Sequence, residues 1–311
     1  MRVAEPQTGE VIAGTCSIRA GKRSYLLHVP PTGSCEHLVV MLHGCIQPAR
    51  EFAVATRMNR AAAARGWPCL WPEQRASANL MRCWNWFAAK HQRRDGGEAA
   101  ILGAMIAEIC ERYGIAPGRV LIAGVSAGAA MASIVAVTYP ELIGAVAIHS
   151  GAPYGAATNV FRGMSLMKNG DSDPVALGAV AHGVMGARAR RIPAMVLHGG
   201  QDRTVHPRNG TRAAQQWAVT NLLALGQKDR ASHVPQAASE TAHHEDGRYE
   251  AVVVRYQDDA GRTLAEEWRV PELGHAWSGG SPEATYTDPR GPDATAATLE
   301  FFSTNQLTGK K

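Results

Sequence analysis

Short runs rich in Val, Leu and Ile alternate along this chain with longer alanine-rich segments of helical period, and that alternation leaves few folds open. A strand lying parallel to its predecessor needs a long crossover, and a helix is the usual one. The spacing predicts strands over residues 24–29, 38–43, 68–71, 119–123, 142–149, 194–198, 249–255 and 266–270. It predicts helices over 51–64, 98–113 and 127–138, with Gly114 closing the second helix and Pro72 ending the third strand. The class is α/β, a mostly parallel sheet with helices on both faces. The chain has 311 residues, 45% of them hydrophobic, which is enough apolar material for one large core. No Ser/Pro-rich linker and no internal repeat divides it, so a single domain over 1–311 is expected, with its core at about 14–303.

A net charge of +5 raises the question of a nucleic-acid partner, but the arginines are scattered and only short clusters occur, at Arg93-Arg94 and over 188–191. A solvated basic surface is the expectation, with no nucleic acid. Every apolar run is broken by Gly, Pro or a charge before the ~20 residues a membrane span requires, so no membrane partner is expected either. The first nine residues carry no apolar stretch followed by a small-residue cleavage site, hence no visible export signal. Six cysteines, at 16, 35, 45, 69, 83 and 110, contain no C-x-x-C pair, which argues against a metal site. Their even number allows disulfides, and buried thiols are an equally compatible reading. Oligomeric state has no signal in the sequence.

The most informative junction is Gly124-Val125-Ser126-Ala127-Gly128, a G-x-S-x-G between a predicted strand and a predicted helix. A serine at such a turn projects its hydroxyl above the sheet, and the glycines are needed where a Cβ would collide with strand and helix. Placed so, Ser126 reads as a nucleophile, and the junction as the elbow of an α/β-hydrolase fold. A hydroxyl attacks only if a base takes its proton, and histidine suits that task near neutrality. In this fold the order is Ser, then acid, then His, with the His after the last strand. Of twelve histidines, His275 stands there; His43, His149 and His198 end strands and read as local hydrogen-bonding groups, and His243 and His244 lie in a polar stretch. Asp202, on the loop after strand 194–198, is the expected acid that orients the base, with turn capping as its bland alternative. Asp258 and Asp259 are weaker rivals, because Asp-Asp-Ala-Gly reads as a hairpin turn. The oxyanion hole is expected from the N–H of Ala127 and the N–H of Cys45, the latter in the loop after Leu42-His43-Gly44.

These segments resemble the esterase family named for poly(3-hydroxybutyrate) depolymerases, which includes feruloyl and acetylxylan esterases. The likeness runs from about Gly14 to Phe302, through His43-Gly44-Cys45, Cys83-Trp84-Asn85-Trp86-Phe87, the serine elbow, the Asp202 loop and Gly274-His275-Ala276-Trp277. The resemblance implies a carboxylic-ester hydrolase with that triad, no cofactor and no metal. It further implies a Cys45–Cys83 disulfide and Trp277 as a wall of the acyl or alcohol pocket. Trp84 and Trp86 stand as pocket-wall candidates, with plain core residues as the alternative. Nothing resembling a polymer-binding module or its linker is found, so soluble esters or 3-hydroxybutyrate-type oligomers are the expected substrates. A feruloyl or acetylxylan esterase, a thioesterase or peptidase with the same triad, and a non-catalytic binding protein on this fold, are the rivals. Segment 154–191, rich in Gly, Ala and Met, reads either as a lid or as surface helices.

Overall fold

The computed structural model describes residues 9–31 and 35–305. Residues 1–8, where the export-signal reading falls, lie outside the described residues. Ten strands form one sheet: β1 Glu10–Ile18, β2 Gly21–Val29, β3 Leu38–Leu42, β4 Cys69–Glu73, β5 Val120–Val125, β6 Ile143–His149, β7 Ala194–Gly199, β8 Ser239–His243, β9 Ala251–Gln257 and β10 Thr263–Val270. Their order is β1-β2-β4-β3-β5-β6-β7-β10-β9-β8. The six central strands, β4 through β10 in that order, run parallel, and antiparallel pairs close both sides. The fold is thus the α/β class read from the alternation.

Every residue of β3, β5, β6 and β7 is buried, as expected when helices cover both faces of a parallel sheet. The helices are α1 Ala49–Thr56, α2 Met58–Ala63, α3 Gly97–Tyr113, α4 Ala127–Thr138, α5 Val160–Asn169, α6 Pro174–Met185, α7 Arg208–Ala224 and α8 Ala294–Asn305. Strand periodicity divides the core in two. Val40, Leu42 and Ile122 face α3, α4 and α7, whereas Val39, Met41 and Leu121 face α1, α2 and α8.

Three expectations are corrected by tertiary contacts. The helix expected over 51–64 is broken at Arg57, whose φ is 55°. Its cause lies in the carbonyls: Ser281 N–H takes the Ala55 oxygen and Thr295 Oγ1 takes the Thr56 oxygen, so α1 cannot continue its own ladder there. Strand β4 runs on through Pro72 because its ladder to β3 ends at Leu70, leaving only β2 alongside. The edge strands β1 and β8 have mixed or exposed patterns that carry little apolar signal, and both escaped the sequence reading. Segment 154–191 folds into α5 and α6. Among the described residues no helix is long and apolar enough to cross a membrane.

The serine turn depends on glycine at two positions. A Cβ on Gly128 would lie 2.0 Å from the Leu42 carbonyl oxygen and 2.5 Å from that of His43, and one on Gly124 would lie 2.5 Å from the Gly128 backbone. Gly128→Ala is therefore expected to cost about 3 kcal/mol or more in urea unfolding. Gly114→Ala, at φ 65° but in open space, is expected to cost only about 1 kcal/mol. Equal losses in the two variants would contradict the close α4–β3 approach as the cause.

Candidate functional site

Ser126 leaves β5 with φ 56° and ψ −122° and enters α4 at once. A non-glycine residue in such a conformation costs of order 1–3 kcal/mol and persists only where its surroundings hold it. Here its N–H donates to the His149 carbonyl at the end of β6 (2.9 Å), and its carbonyl accepts from Ala130 N–H in α4 (3.1 Å). Both ends of the peptide are thereby fixed. The hydroxyl makes no hydrogen bond among the described residues. The N-terminus of α4 begins directly beneath it, favouring negative charge there.

β7 and β10 lie side by side and parallel, so the loops after them leave the sheet at the same edge as Ser126. Two hydrogen bonds tie those loops together, Gly200 N–H to Val270 O and Gln201 N–H to Leu273 O. Asp202, on the first loop, is buried. Its Oδ1 accepts from Thr204 N–H (2.9 Å) and Val205 N–H (2.8 Å), while its Oδ2 accepts from His275 Nδ1 at 2.7 Å. The turn-capping and histidine-orienting readings of this residue are met together, one by each oxygen. His198 Nε2 lies 3.3 Å from the same Oδ2 and 2.9 Å from Val205 O. Burial by itself raises the Asp202 carboxyl, but the hydrogen bonds from His198, His275 and Val205 and the His275 charge outweigh it and hold the group well below the usual carboxylate range. With Nδ1 engaged, His275 keeps Nε2 for a proton from outside. Asp258, the rival acid, closes its hairpin through Ala260 N–H, Arg262 N–H and the Arg262 guanidinium.

The loop after β3 is braced from behind. Gln74 N–H donates to His43 Nε2 (3.1 Å), so the ring proton sits on Nδ1 and is donated to Gly44 O at 2.7 Å. In a trans peptide the C=O and N–H point oppositely, which turns the Cys45 N–H away from His43. Cys45 is disulfide-bonded to Cys83. The Cys83 to Trp86 stretch is held in turn by Glu98, a buried carboxylate that accepts from Arg23 Nη2 (2.9 Å), Gln74 Nε2 (2.6 Å), Asn85 Nδ2 (2.7 Å) and Asn85 N–H (2.7 Å). Ser126, Ala127 and Cys45 line a cavity of about 110 Å³ together with Trp86, Phe87 and Met164.

Two of the tryptophans expected in the pocket are elsewhere. Trp277 is 2% exposed, stacks on His149 at 4.9 Å, packs edge-on against Phe52 and donates from Nε1 to Thr295 Oγ1. Just past His275 the chain enters a two-stranded pair, β11 Trp277–Ser278 with β12 Thr287–Asp288, and this turns the indole into the α1–α8 face of the core. Trp84 is fully buried against His43. Trp86 does line the cavity. Phe87, and Met164 and Met167 from α5, were not singled out in the sequence; Gly163 lets α5 come close, since a Cβ there would meet Phe87 at 2.9 Å. Among the described residues no group of three His, Cys, Asp or Glu side chains is arranged to hold a metal ion.

A mostly parallel sheet with a strand–serine–helix elbow, followed by an Asp–His pair on loops after later strands, is the α/β-hydrolase fold. The chain belongs to the esterase PHB depolymerase family, whose sequence profile matches residues 23–235. That match contains Ser126 and Asp202 and stops short of His275. Poly(3-hydroxyalkanoate) depolymerase C of Paucimonas lemoignei is 29% identical over 249 residues, 76% of this chain and 54% of that protein. A probable acetylxylan esterase A of Aspergillus fumigatus is 26% identical over 213 residues (66% and 57%), and feruloyl esterase B of Neurospora crassa 28% over 218 residues (68% and 73%). The chain thus spans little more than half the length of the first two. Among solved structures, an acetyl xylan esterase from Aspergillus awamori superposes with a TM-score of 0.74 at 19% identity, covering 95% of this chain and 99% of that one. At that identity the likeness concerns the fold.

Two measurements follow from the site's surroundings. Thiol titration of unfolded, unreduced protein is expected to find four groups, rising to six after reduction, because Cys45 and Cys83 are bonded to each other while Cys16, Cys35, Cys69 and Cys110 keep their thiols; six before reduction would exclude the bond. The second concerns His149, whose ring burial, with the His198 and His275 charges, holds it down to about 3 from its ordinary 6.5. Between those values the unfolded chain binds the extra proton, so stability falls as pH drops from about 6.5 toward 3, by about 1.4 kcal/mol per pH unit for this group. Asp202 contributes in the same direction only below about pH 4, where its unfolded carboxyl takes up a proton. Urea unfolding between pH 6.5 and 5 is expected to show a shallower slope in His149→Gln than in the parent; identical slopes would rule out the buried neutral ring.

Proposed function

We propose that this chain is a serine carboxylic-ester hydrolase working through an acyl-enzyme. Ser126 attacks the ester carbonyl while His275 Nε2 removes its proton. Asp202 holds the imidazole tautomer and stabilises the imidazolium. The Cys45 and Ala127 N–H groups receive the oxyanion, a role worth roughly 3 kcal/mol per donor in comparable sites. His275 returns the proton to the departing alcohol, and water repeats the cycle to free the acid. The observation that carries the reading is the 2.7 Å Asp202–His275 contact at the sheet edge where Ser126 is held in its strained turn.

Cavity lining and relatives together support a substrate class. Names among the relatives include a poly(3-hydroxyalkanoate) depolymerase, an acetylxylan esterase and a feruloyl esterase. The cavity beside Ser126 is walled chiefly by apolar side chains, Trp86, Phe87, Met164 and Met167 among them, a lining suited to a short acyl chain. Short-chain esters, including 3-hydroxybutyrate-type oligomers, fit it best. One ten-stranded sheet runs through the described residues, which supports reading them as one catalytic domain.

Hydrolysis of p-nitrophenyl butyrate is expected to be abolished in Ser126→Ala, and in Asp202→Asn kcat is expected to fall about 10⁴-fold with KM little altered. Activity in Ser126→Ala equal to the parent's would overturn the assignment.

A further inference from the structure

His275 is not alone on Asp202. His198, near the end of β7 and four residues before the acid, is 4% exposed, and its Nε2 faces two oxygens, Val205 O at 2.9 Å and Asp202 Oδ2 at 3.3 Å. The other ring nitrogen, Nδ1, is buried and has no hydrogen-bond partner among the described residues. Gly210 of α7 lies over that side of the ring, where a Cβ would come within 2.8 Å of Nδ1. These surroundings choose the tautomer. A proton on Nδ1 would be a buried donor without an acceptor, and would leave the Nε2 lone pair pointed at two oxygens. The ring proton therefore sits on Nε2, between Val205 O and Asp202 Oδ2.

With that proton placed, Asp202 has two donors on each oxygen: Thr204 and Val205 N–H on Oδ1, His275 Nδ1 and His198 Nε2 on Oδ2. No Lys or Arg among the described residues pairs with it. The titratable groups that bear on it are His198 from its own strand, His275 from the loop after β10 and His149 from β6. Val205 is held twice, its N–H by Oδ1 and its carbonyl by His198, and it lines the cavity beside Ser126. Each hydrogen bond to a carboxylate lowers its pull on a further proton, so the two imidazoles compete for Oδ2. We infer that His198 is a positioning residue: by sharing Oδ2 it limits how tightly Asp202 holds the protonated His275, so that the imidazolium formed during attack gives its proton readily to the departing alcohol. The proton path is unaltered, from Ser126 to His275 Nε2 to the alcohol oxygen, and His198 neither gains nor loses a proton. This rests on the esterase reading and deepens it from the triad to the group behind the acid.

The test is the pH dependence of kcat/KM for p-nitrophenyl butyrate in the parent, His198→Met and His198→Gln. Methionine fills the space without a donor, and glutamine returns an N–H near the position of Nε2. The midpoint of the acid limb is expected to move up by about one pH unit in His198→Met, the effect of one net hydrogen bond, and to return close to the parent's in His198→Gln. The sign decides. A ring that only props the loop would, once removed, loosen the Asp202–His275 contact and leave the midpoint in place or lower it, and either result would overturn the inference. A midpoint raised equally in both variants would overturn it as well. One measurement does not depend on a variant folding: nitrogen NMR of the parent's histidine rings is expected to show His198 protonated at Nε2 and bare at Nδ1, and a proton on Nδ1 would refute the sharing of Oδ2. Failure of the esterase reading is distinguishable, since it would appear as butyrate hydrolysis that survives Ser126→Ala.

Discussion

Much of this structure depends on how closely α4 can approach the ends of β3 and β5. Gly128 lies against the Leu42 and His43 carbonyls, and Gly124 against the Gly128 backbone, at distances no Cβ would permit. That contact bends the chain sharply enough to leave Ser126 at positive φ, with its hydroxyl at the carboxyl edge of the sheet rather than in the core. The same approach brings the His43-Gly44-Cys45 loop beside the serine: a Cβ on Gly44 would be 3.7 Å from that of Ser126. The position of Ser126 and that of the Gly44–Cys45 loop are thus products of one packing event.

Around that point three buried histidines act as fixed hydrogen-bond parts. His43 orients the Gly44–Cys45 peptide, His149 orients Ser150, and His198 reaches Asp202 and the Val205 carbonyl. In His43 and His149 a backbone N–H donated to Nε2 dictates the tautomer. Burial lowers the proton affinity of both rings, so each remains a neutral, directional group. Protonating either ring would set an Nε2–H against the backbone N–H that Nε2 now accepts from, and that bond would be lost.

The far wall is secured by different means. Glu98, at the start of α3, gathers Arg23, Gln74 and Asn85, and the Cys45–Cys83 bond ties the braced stretch to the loop after β3 across 38 residues. A buried carboxylate is tolerated only when its lone pairs are filled, and here four donors fill them. Ionic and covalent restraints together give rigidity where helices are absent.

The parallel sheet was legible because burial on both faces forces continuous apolar strands, and the elbow because G-x-S-x-G between strand and helix is a local pattern. Chain order then singled out Asp202 and His275, which meet at 2.7 Å because β7 and β10 are neighbours in the sheet. Other features had no local signature. The helix breaks at Arg57 because residues 281 and 295 claim the Ala55 and Thr56 carbonyls, and Trp277 turns into the core because β11 pairs with β12. The cavity wall from α5, and the meeting of His198 and His275 on one oxygen of Asp202, bring together groups far apart in sequence. Spacing along the chain determines which residues share a strand or a turn; which side chains share a cavity is decided only when the sheet order and helix packing bring them together.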